Sequence, residues 1–338
     1  MSNWKIERPN WSEAISSLCE LYNTTWKGHP ITQPDFFKWQ IMSSPYGQAI
    51  GSVAVPNGPY FAGVYLVLPV NLIVNGNVLP FSVSVYTMTH PKHYKQGIFV
   101  KLANDTYTAC SERKIFGTVG VPNNNSLPGF VRKLNFAAFG QFNVLYKVSR
   151  PFLFKKHSSL DCIAFGVDDL KKIQFNQQAI SRHAKLVFME KSCKLLKWRY
   201  FDNPAHDYNV HACIAGDVVL GFVVFRKAYK KKIPIVVIMD ICVDLNKPNN
   251  YEVYSELLRS VNNFALKSLC AFIIIQTTPG STLEDILRSF KFGPISKSLL
   301  PHESNFIIKT HLPFTGDGSP INAKFSDWYF SFGDYDLF

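Results

Sequence analysis

Residues 87–99 read Thr-Met-Thr-His-Pro-Lys-His-Tyr-Lys-Gln-Gly-Ile-Phe, and they join an apolar strand to a helix that we expect to begin near Gly97. A glycine-bearing turn between a strand and a helix directs backbone N–H groups at one point, and the helix N-terminus adds partial positive charge. Lys92, Lys95 and His93 can add charge around the same point. The stretch therefore predicts a site for the phosphates of a ligand.

The strand that leads into this turn alternates between apolar and polar residues over 81–86. A strand buried on both faces would be apolar throughout, so an alternating strand has one face in a more polar environment. We place Ser84 and Tyr86 on that polar face. Both are therefore predicted to line a substrate pocket.

A tandem repeat organises the chain on either side of the turn. Residues 38–45 read Lys-Trp-Gln-Ile-Met-Ser-Ser-Pro, and residues 197–204 read Lys-Trp-Arg-Tyr-Phe-Asp-Asn-Pro, an offset of 159 residues. The strand at 80–86 has a counterpart at 234–240, an offset of 154 residues. Such similar offsets predict two copies of one α/β unit, in which helices pack on a mixed sheet.

Composition limits the classes of partner. The formal net charge is +12, and 47% of the residues are hydrophobic, but no apolar run approaches the roughly 18 residues of a membrane span. The basic residues are spread along the chain, and the one dense run, 230–232, reads as a solvated hairpin turn. We expect a small polyanionic ligand, with no nucleic acid and no membrane span; the oligomeric state is open.

The seven cysteines have apolar neighbours and no CxxC pair, which predicts reduced thiols, a cytoplasmic protein and no metal site.

These features together resemble the GNAT acyltransferases. In that family an Arg/Gln-x-x-Gly-x-Gly/Ala loop after a strand holds the pyrophosphate of acyl-CoA, and residues 87–99 resemble it, with Tyr94 and Phe99 as departures from the pattern. Asn-x-x-Ser at 123–126 and Lys-Leu-Asn-Phe at 133–136 resemble the family's next segment. The whole chain is similar to tandem GNAT enzymes that acylate the amino group of nucleotide-linked sugars for surface polysaccharides.

The resemblance implies acyl-CoA, as acetyl-CoA or a short substituted acyl-CoA, as the cosubstrate. It implies an N-terminal GNAT domain at 1–150 that binds this cosubstrate, and a degenerate GNAT domain at 151–338 that forms the acceptor wall. In the second copy, 244–250 lacks a glycine and begins with a carboxylate, which would repel a pyrophosphate. The cosubstrate-binding residues implied in the first copy are Met88, Thr89, Tyr94, Lys95, Gln96, Gly97, Ile98, Phe99, Asn123 and Ser126.

An amine acceptor needs a group that removes a proton, and three residues are candidates for catalysis. His90 is close in sequence to the turn, and Asp240 lies in an apolar strand where a carboxylate is costly unless paired. Asp334 and Asp336 match the Gly-Asp-x-Asp pattern near the end of the related tandem enzymes, which implies binding of the sugar and its amine. The structural alternatives are capping for His90, a hydrogen bond for Asp240 and strand capping for the other two.

The leading prediction is an N-acyltransferase that joins an acyl group to a nucleotide-diphosphate-linked aminodeoxy sugar in a ternary complex. Two other functions stay open. One is a transferase that adds amino acids from aminoacyl-tRNA to cell-wall peptide, since such proteins also pair two GNAT-like domains. The other is a module that senses CoA without catalysis, which the departures at Tyr94 and Phe99 would favour.

Overall fold

The computed structural model describes residues 3–28, 32–151, 159–246, 249–296, 304–313 and 322–335. Within them the chain forms two mixed sheets covered by helices. The strands are β1 (Trp4–Glu7), β2 (Ile50–Pro56), β3 (Gly63–Val74), β4 (Asn77–Thr89), β5 (Gly117–Gly120), β6 (Ala137–Gln141), β7 (Asn143–Val148), β8 (Asp161–Ala164), β9 (Val187–Met189), β10 (Asn209–Ala215), β11 (Val218–Lys230), β12 (Ile233–Val243), β13 (Phe272–Thr277), β14 (Gly293–Pro294), β15 (Asn305–Thr310) and β16 (Trp328–Tyr329). The helices are α1 (Trp11–Asn23), α2 (Pro34–Phe37), α3 (Ile98–Glu112), α4 (Leu127–Leu134), α5 (Gln177–Ala184), α6 (Cys193–Leu196), α7 (Asn250–Lys267) and α8 (Thr282–Ser289).

The first sheet has the strand order β1-β2-β3-β4-β5-β15-β6, with β9 beside β3 and β16 beside β9. The second has the order β14-β7-β13-β12-β11-β10-β8. In each sheet a long antiparallel pair, β3–β4 or β11–β12, is followed by a parallel strand, β5 or β13. The predicted mixed α/β class and the internal repeat are therefore confirmed.

One late strand of each half pairs in the sheet that holds most strands of the other half. Strand β7 from the first half pairs with β13 and β14 of the second sheet, and β15 from the second half pairs with β5 and β6 of the first. The predicted division of the chain into domains at 1–150 and 151–338 stays a prediction. It does not separate the strands of one sheet from those of the other.

The repeated tryptophans meet where the two halves join. Trp39 and Trp198 lie in matching wide helical turns, Lys38–Met42 and Lys197–Phe201. Their rings stack with centroids 4.9 Å apart, and each indole N–H donates to the backbone carbonyl of the other tryptophan, at 2.8 and 3.1 Å. Both rings are buried, so the repeated motif serves the contact between the halves.

Helices cover both faces of the first sheet. Helix α1 places Trp11, Ile15, Leu18 and Tyr22 at helical spacing on its buried face, and this face packs with α2 against one side of the sheet. Helices α3 and α4 pack on the other side. In the second half α7 and α8 cover one face of the sheet. Among the described helices, none is both long enough and apolar enough to cross a bilayer.

Candidate active site

Strand β4 separates from β5 just before the glycine turn. The two strands pair only over residues 82–84, whereas β4 continues beside β3 as far as Thr89. Val85 is an extra residue in β4 relative to β3, and this β-bulge lies at the point of separation. On the β5 side, the edge of β4 from Val85 to Thr89, which includes Met88, has no neighbouring strand among the described residues. Its backbone can pair with an extended ligand.

The turn after β4 has the strand-to-helix geometry that the sequence predicts. Gly97 has φ 74° and ψ 11°, in the left-handed region that favours glycine, and α3 begins at the next residue. A Cβ at Gly97 would meet no atom within 4 Å, so space for a ligand lies beside the helix N-terminus. Tyr94, Lys95 and Gln96 are exposed around it. Phosphate binding at this point stays a prediction, which this geometry supports.

The side chains of the next two predicted residues point away from this turn. Ile98 is buried in the core under α3. The ring of Phe99 packs edge to face on Phe130, with centroids 5.2 Å apart, and lies 3.0 Å from the Cβ position of Gly129 in α4. These two residues can therefore offer backbone N–H groups to a phosphate, while their side chains hold α3 against the rest of the domain.

His90 acts as a cap in this structure. Its Nδ1 accepts the backbone N–H of Lys92 at 3.2 Å, at the start of a short 3₁₀ turn, Pro91–His93. Burial, with smaller contributions from the nearby His93 and Lys92, lowers the pKa of His90 below its ordinary value. His90 is not among the residues that line the cleft described below. Its predicted role as a base stays a prediction, and these contacts favour the capping alternative.

Asn123 and Ser126 form a local turn at the start of α4. The side-chain oxygen of Asn123 accepts the backbone N–H groups of Asn125 and Ser126, at 3.1 and 3.0 Å, and the Ser126 hydroxyl at 3.1 Å. Both side chains thus orient the loop that follows β5. Their predicted contact with acyl-CoA stays a prediction.

The expectation that Ser84 and Tyr86 share one face of β4 is wrong. The bulge at Val85 shifts the alternation by one residue, so the two side chains point to opposite faces. Ser84 accepts the hydroxyl of Tyr65 at 3.1 Å on the α3 side of the sheet. Tyr86 is buried among the aromatic residues of α1 and α2, and its hydroxyl donates to Gln40.

The two predicted carboxylates Asp240 and Asp334 meet at one buried lysine. Nζ of Lys191 lies 2.7 Å from Oδ2 of Asp240 and 2.6 Å from Oδ1 of Asp334, and all three side chains are at most 4% exposed. Burial lowers the pKa of Lys191, but the two carboxylates outweigh burial and raise it above its ordinary value. Burial and the charge of Asp240 raise the pKa of Asp334, which Lys191 opposes.

Every oxygen of these two carboxylates is occupied. Asp240 also accepts the hydroxyls of Tyr329, at 2.6 Å, and Tyr200, at 3.3 Å. The second oxygen of Asp334 accepts the backbone N–H and the hydroxyl of Ser331, at 2.8 and 3.0 Å. Catalysis by either group stays a prediction, and these contacts favour a role in fixing the structure. Asp336 lies outside the described residues.

In the second half, residues 328–335 fill the gap that corresponds to the open edge of β4. Strands β12 and β13 pair only over 235–238 and 272–275, and β12 has a matching bulge at Met239. Beyond the paired stretch, the side chains of Gln276 in β13 and of Thr278, just after this strand, donate to the carbonyls of Phe330 and Trp328, at 2.9 and 2.6 Å. On the β12 side, the hydroxyl of Tyr329 accepts the N–H of Ile241 at 3.0 Å. In the described part of the chain, this C-terminal plug (residues 328–335) therefore occupies the gap between β12 and β13.

A cleft between the two halves adjoins the bulge of β4. Val83 and Val85 contribute one wall, and Lys191, Asp240, Asp334 and Arg199 contribute charged groups. Its volume is about 30 Å³, which holds one or two water molecules.

Glu190 and Tyr46 also line this cleft, and neither is predicted from the sequence. The hydroxyl of Tyr46 donates to Oε2 of Glu190 at 2.8 Å. Glu190 follows β9, which pairs with β3 of the first half. Because this pairing is a tertiary contact, spacing in the sequence carried no signal for it.

Comparison with known proteins gives a family match for part of the chain. The acetyltransferase (GNAT) domain model matches residues 9–139. No curated protein matches the sequence closely enough to be counted.

Solved structures with similar folds cover most of the chain. A GCN5-related N-acetyltransferase from Anabaena variabilis has 14% identity, with 91% of this chain and 73% of that chain covered and a TM-score of 0.67. Saccharomyces cerevisiae N-myristoyltransferase with bound myristoyl-CoA has 12% identity, 91% and 79% coverage and a TM-score of 0.59. A tandem GNAT protein from the clavulanic acid biosynthesis pathway has 9% identity, 92% and 100% coverage and a TM-score of 0.59. At these identities the likeness shows a shared fold.

Proposed function

We propose that this acyl-CoA-dependent acyltransferase of tandem GNAT fold transfers its acyl group to the amino group of a nucleotide-diphosphate-linked aminodeoxy sugar. The observation that carries the proposal is the course of the open edge of β4. One end, at Val85, lines the cleft between the halves, and the other, at Thr89, leads into the glycine turn at Gly97. A donor bound along this edge has its phosphates at one end and its acyl group beside the cleft.

The residues of the turn supply the donor site. The N-terminus of α3 receives the pyrophosphate of acyl-CoA, with Lys92 and Lys95 as nearby positive charges. The open edge, including Met88 and Thr89, pairs with the extended pantetheine arm. One backbone N–H of this edge then stabilises the negative charge that develops on the thioester oxygen.

The cleft supplies the acceptor site. Its volume of about 30 Å³ suits the reacting amine rather than a whole nucleotide sugar, so the sugar and nucleotide extend from its mouth. The net charge of +12 suits a protein that binds two polyphosphate ligands. The sugar class rests on the sequence resemblance. The plug in the second half supports a single donor site, because among the described residues it occupies the gap between β12 and β13.

The proposal is tested by release of free CoA thiol from acetyl-CoA and longer acyl-CoAs, with uridine- and thymidine-diphosphate-linked amino sugars as acceptors. We expect release that depends on the amine and saturates in both substrates. Release that depends on aminoacyl-tRNA instead would support the cell-wall transferase. CoA binding without release with any acceptor would support the sensing module.

The donor site is tested by Gly97→Asp with Gly97→Asn as its matched control. Both side chains have the same shape and tolerate the left-handed backbone, and a Cβ there meets no neighbour, so both variants should fold. Both side chains enter the space of the ligand and should weaken CoA binding, and we expect Asp to bind at least about tenfold more weakly than Asn, because its carboxylate repels the pyrophosphate. Calorimetric titration with CoA makes the comparison. Equal affinities for the two variants would contradict the phosphate site.

A further inference from the structure

Glu190 is held at the junction of the two halves by groups from the first half. Tyr46 and the side-chain amide of Asn71 both donate to its Oε2 at 2.8 Å, and its backbone N–H donates to the carbonyl of Asn71 at 2.9 Å. Burial raises the pKa of Tyr46, so this hydroxyl keeps its proton and remains a donor. The carboxylate is thereby fixed in one orientation before any ligand arrives.

Glu190 lines the cleft, and its other carboxylate oxygen has no hydrogen-bond donor among the described residues. Within the described residues, Oε1 accepts no hydrogen bond, whereas both oxygens of Asp240 and of Asp334 have donors. The adjacent Lys191 is directed at those two aspartates and makes no ion pair with Glu190. A positively charged amine that enters the cleft thus meets one carboxylate oxygen that no protein donor has satisfied.

We propose that Oε1 of Glu190 binds the ammonium group of the acceptor and removes its proton, an assignment that rests on the proposed function. Loss of this proton frees the nitrogen lone pair, which attacks the thioester carbonyl carbon. The C–N bond forms, the C–S bond breaks, and the departing thiolate takes the second amine proton to give CoA–SH. Glu190 returns the first proton to water.

The charged groups of the cleft agree with Glu190 as the base and with a structural role for Lys191 and the two aspartates. Lys191 is paired with two carboxylates, so it does not neutralise Glu190. The guanidinium of Arg199, which also lines the cleft, lies 5.7 Å from the ring of Trp198. Lys191 and the two aspartates are positioning residues, because they tie the plug to β12 on the wall opposite β4.

The test compares Glu190→Gln with wild type, with acetyl-CoA and the aminodeoxy sugar nucleotides of the release assay. Gln keeps the shape of the side chain but accepts no proton. At neutral pH we expect kcat/KM to fall about 10²- to 10⁴-fold, with CoA affinity unchanged. The deficit should shrink as the pH rises, because the acceptor amine then loses its proton to water. Glu20→Gln, on the exposed face of α1, removes the same charge and should match wild type.

Each result of this comparison either supports or overturns the assignment of Glu190 as the base. A pH-dependent deficit confined to Glu190→Gln supports the assignment. Unchanged activity in this variant, or a deficit that is equal at every pH, would overturn it and leave Glu190 with a structural role. If the wild-type protein releases no CoA with any amine, the proposed function fails first and the assignment falls with it. If wild type is active but Glu190→Gln shows no deficit, or the same deficit at every pH, the proposed function stands and Glu190 is not its base.

Discussion

At the scale of single residues, the burial of His311 couples protonation to stability. Its ring stacks on Tyr107, with centroids 4.8 Å apart, and Nε2 lies 2.7 Å from the hydroxyl of Thr118. Burial, with a smaller contribution from Lys309, lowers the pKa of His311 from 6.5 to about 4. The unfolded chain therefore binds a proton near pH 6.5 that the folded chain does not bind until about pH 4. The free energy of unfolding should fall as the pH decreases through this window.

The prediction is tested by urea denaturation of wild type and His311→Gln at pH 7 and pH 4. The shift corresponds to about 3 kcal/mol, so the variant should lose less stability than wild type on acidification by roughly this amount. His183→Gln, which removes an exposed histidine of α5, is the control and should follow wild type. Identical pH dependence in His311→Gln and wild type would show that another group controls acid stability.

The environment of some residues can be predicted from the sequence, and that of others cannot. Asp240 was identified because a carboxylate inside an apolar strand must have a partner, and the partner is Lys191. The partner itself is not predictable, since Lys191 lies far from Asp240 in the sequence, two residues after the end of β9. The opposite faces of Ser84 and Tyr86 were also not predictable, because a bulge depends on the register with the neighbouring strand.

At the scale of secondary-structure elements, the C-terminal plug depends on a close approach at Gly333. A Cβ there would clash with the hydroxyl of Tyr200 and lie 3.1 Å from the carbonyl of Met239 in β12. We expect Gly333→Ala to lower the free energy of unfolding by about 1–3 kcal/mol, because it overpacks this contact. Chemical denaturation measures the change.

The double variant Gly333→Ala/Tyr200→Phe is the control for this prediction. Removing the Tyr200 hydroxyl takes away the nearest clashing atom, so the alanine should cost less in the Tyr200→Phe background than in wild type. An equal cost in both backgrounds would show that the plug does not contact Tyr200 as described. The sequence indicated that the second half lacks a donor site, from Asp244 and the missing glycine, but the plug is short and irregular and leaves no periodic pattern.

At the scale of the whole molecule, the repeat and the exchange of strands differ in what the sequence reveals. Similar offsets between matching segments predicted two copies of one unit, because each copy keeps its own hydrophobic pattern. Which sheet β7 or β15 joins is not encoded in that pattern, since either strand could pair in either sheet. The exchange therefore emerged only from the structure.

The exchange predicts that the two halves fold only together. Alone, residues 1–150 would lack β9 and β15, which pair with β3 and β5, and β7 would lose its partner β13. The fragment would expose unpaired strand edges and the buried face of Trp39, so we expect it to aggregate or stay unfolded. Residues 151–338 should behave in the same way, whereas the two fragments expressed together should assemble, since the exchanged strands can pair between chains. Size-exclusion chromatography and circular dichroism during urea denaturation provide the comparison. A cooperative unfolding transition from residues 1–150 alone would mean that the first half is an independent domain and that the exchanged strands are dispensable for its stability.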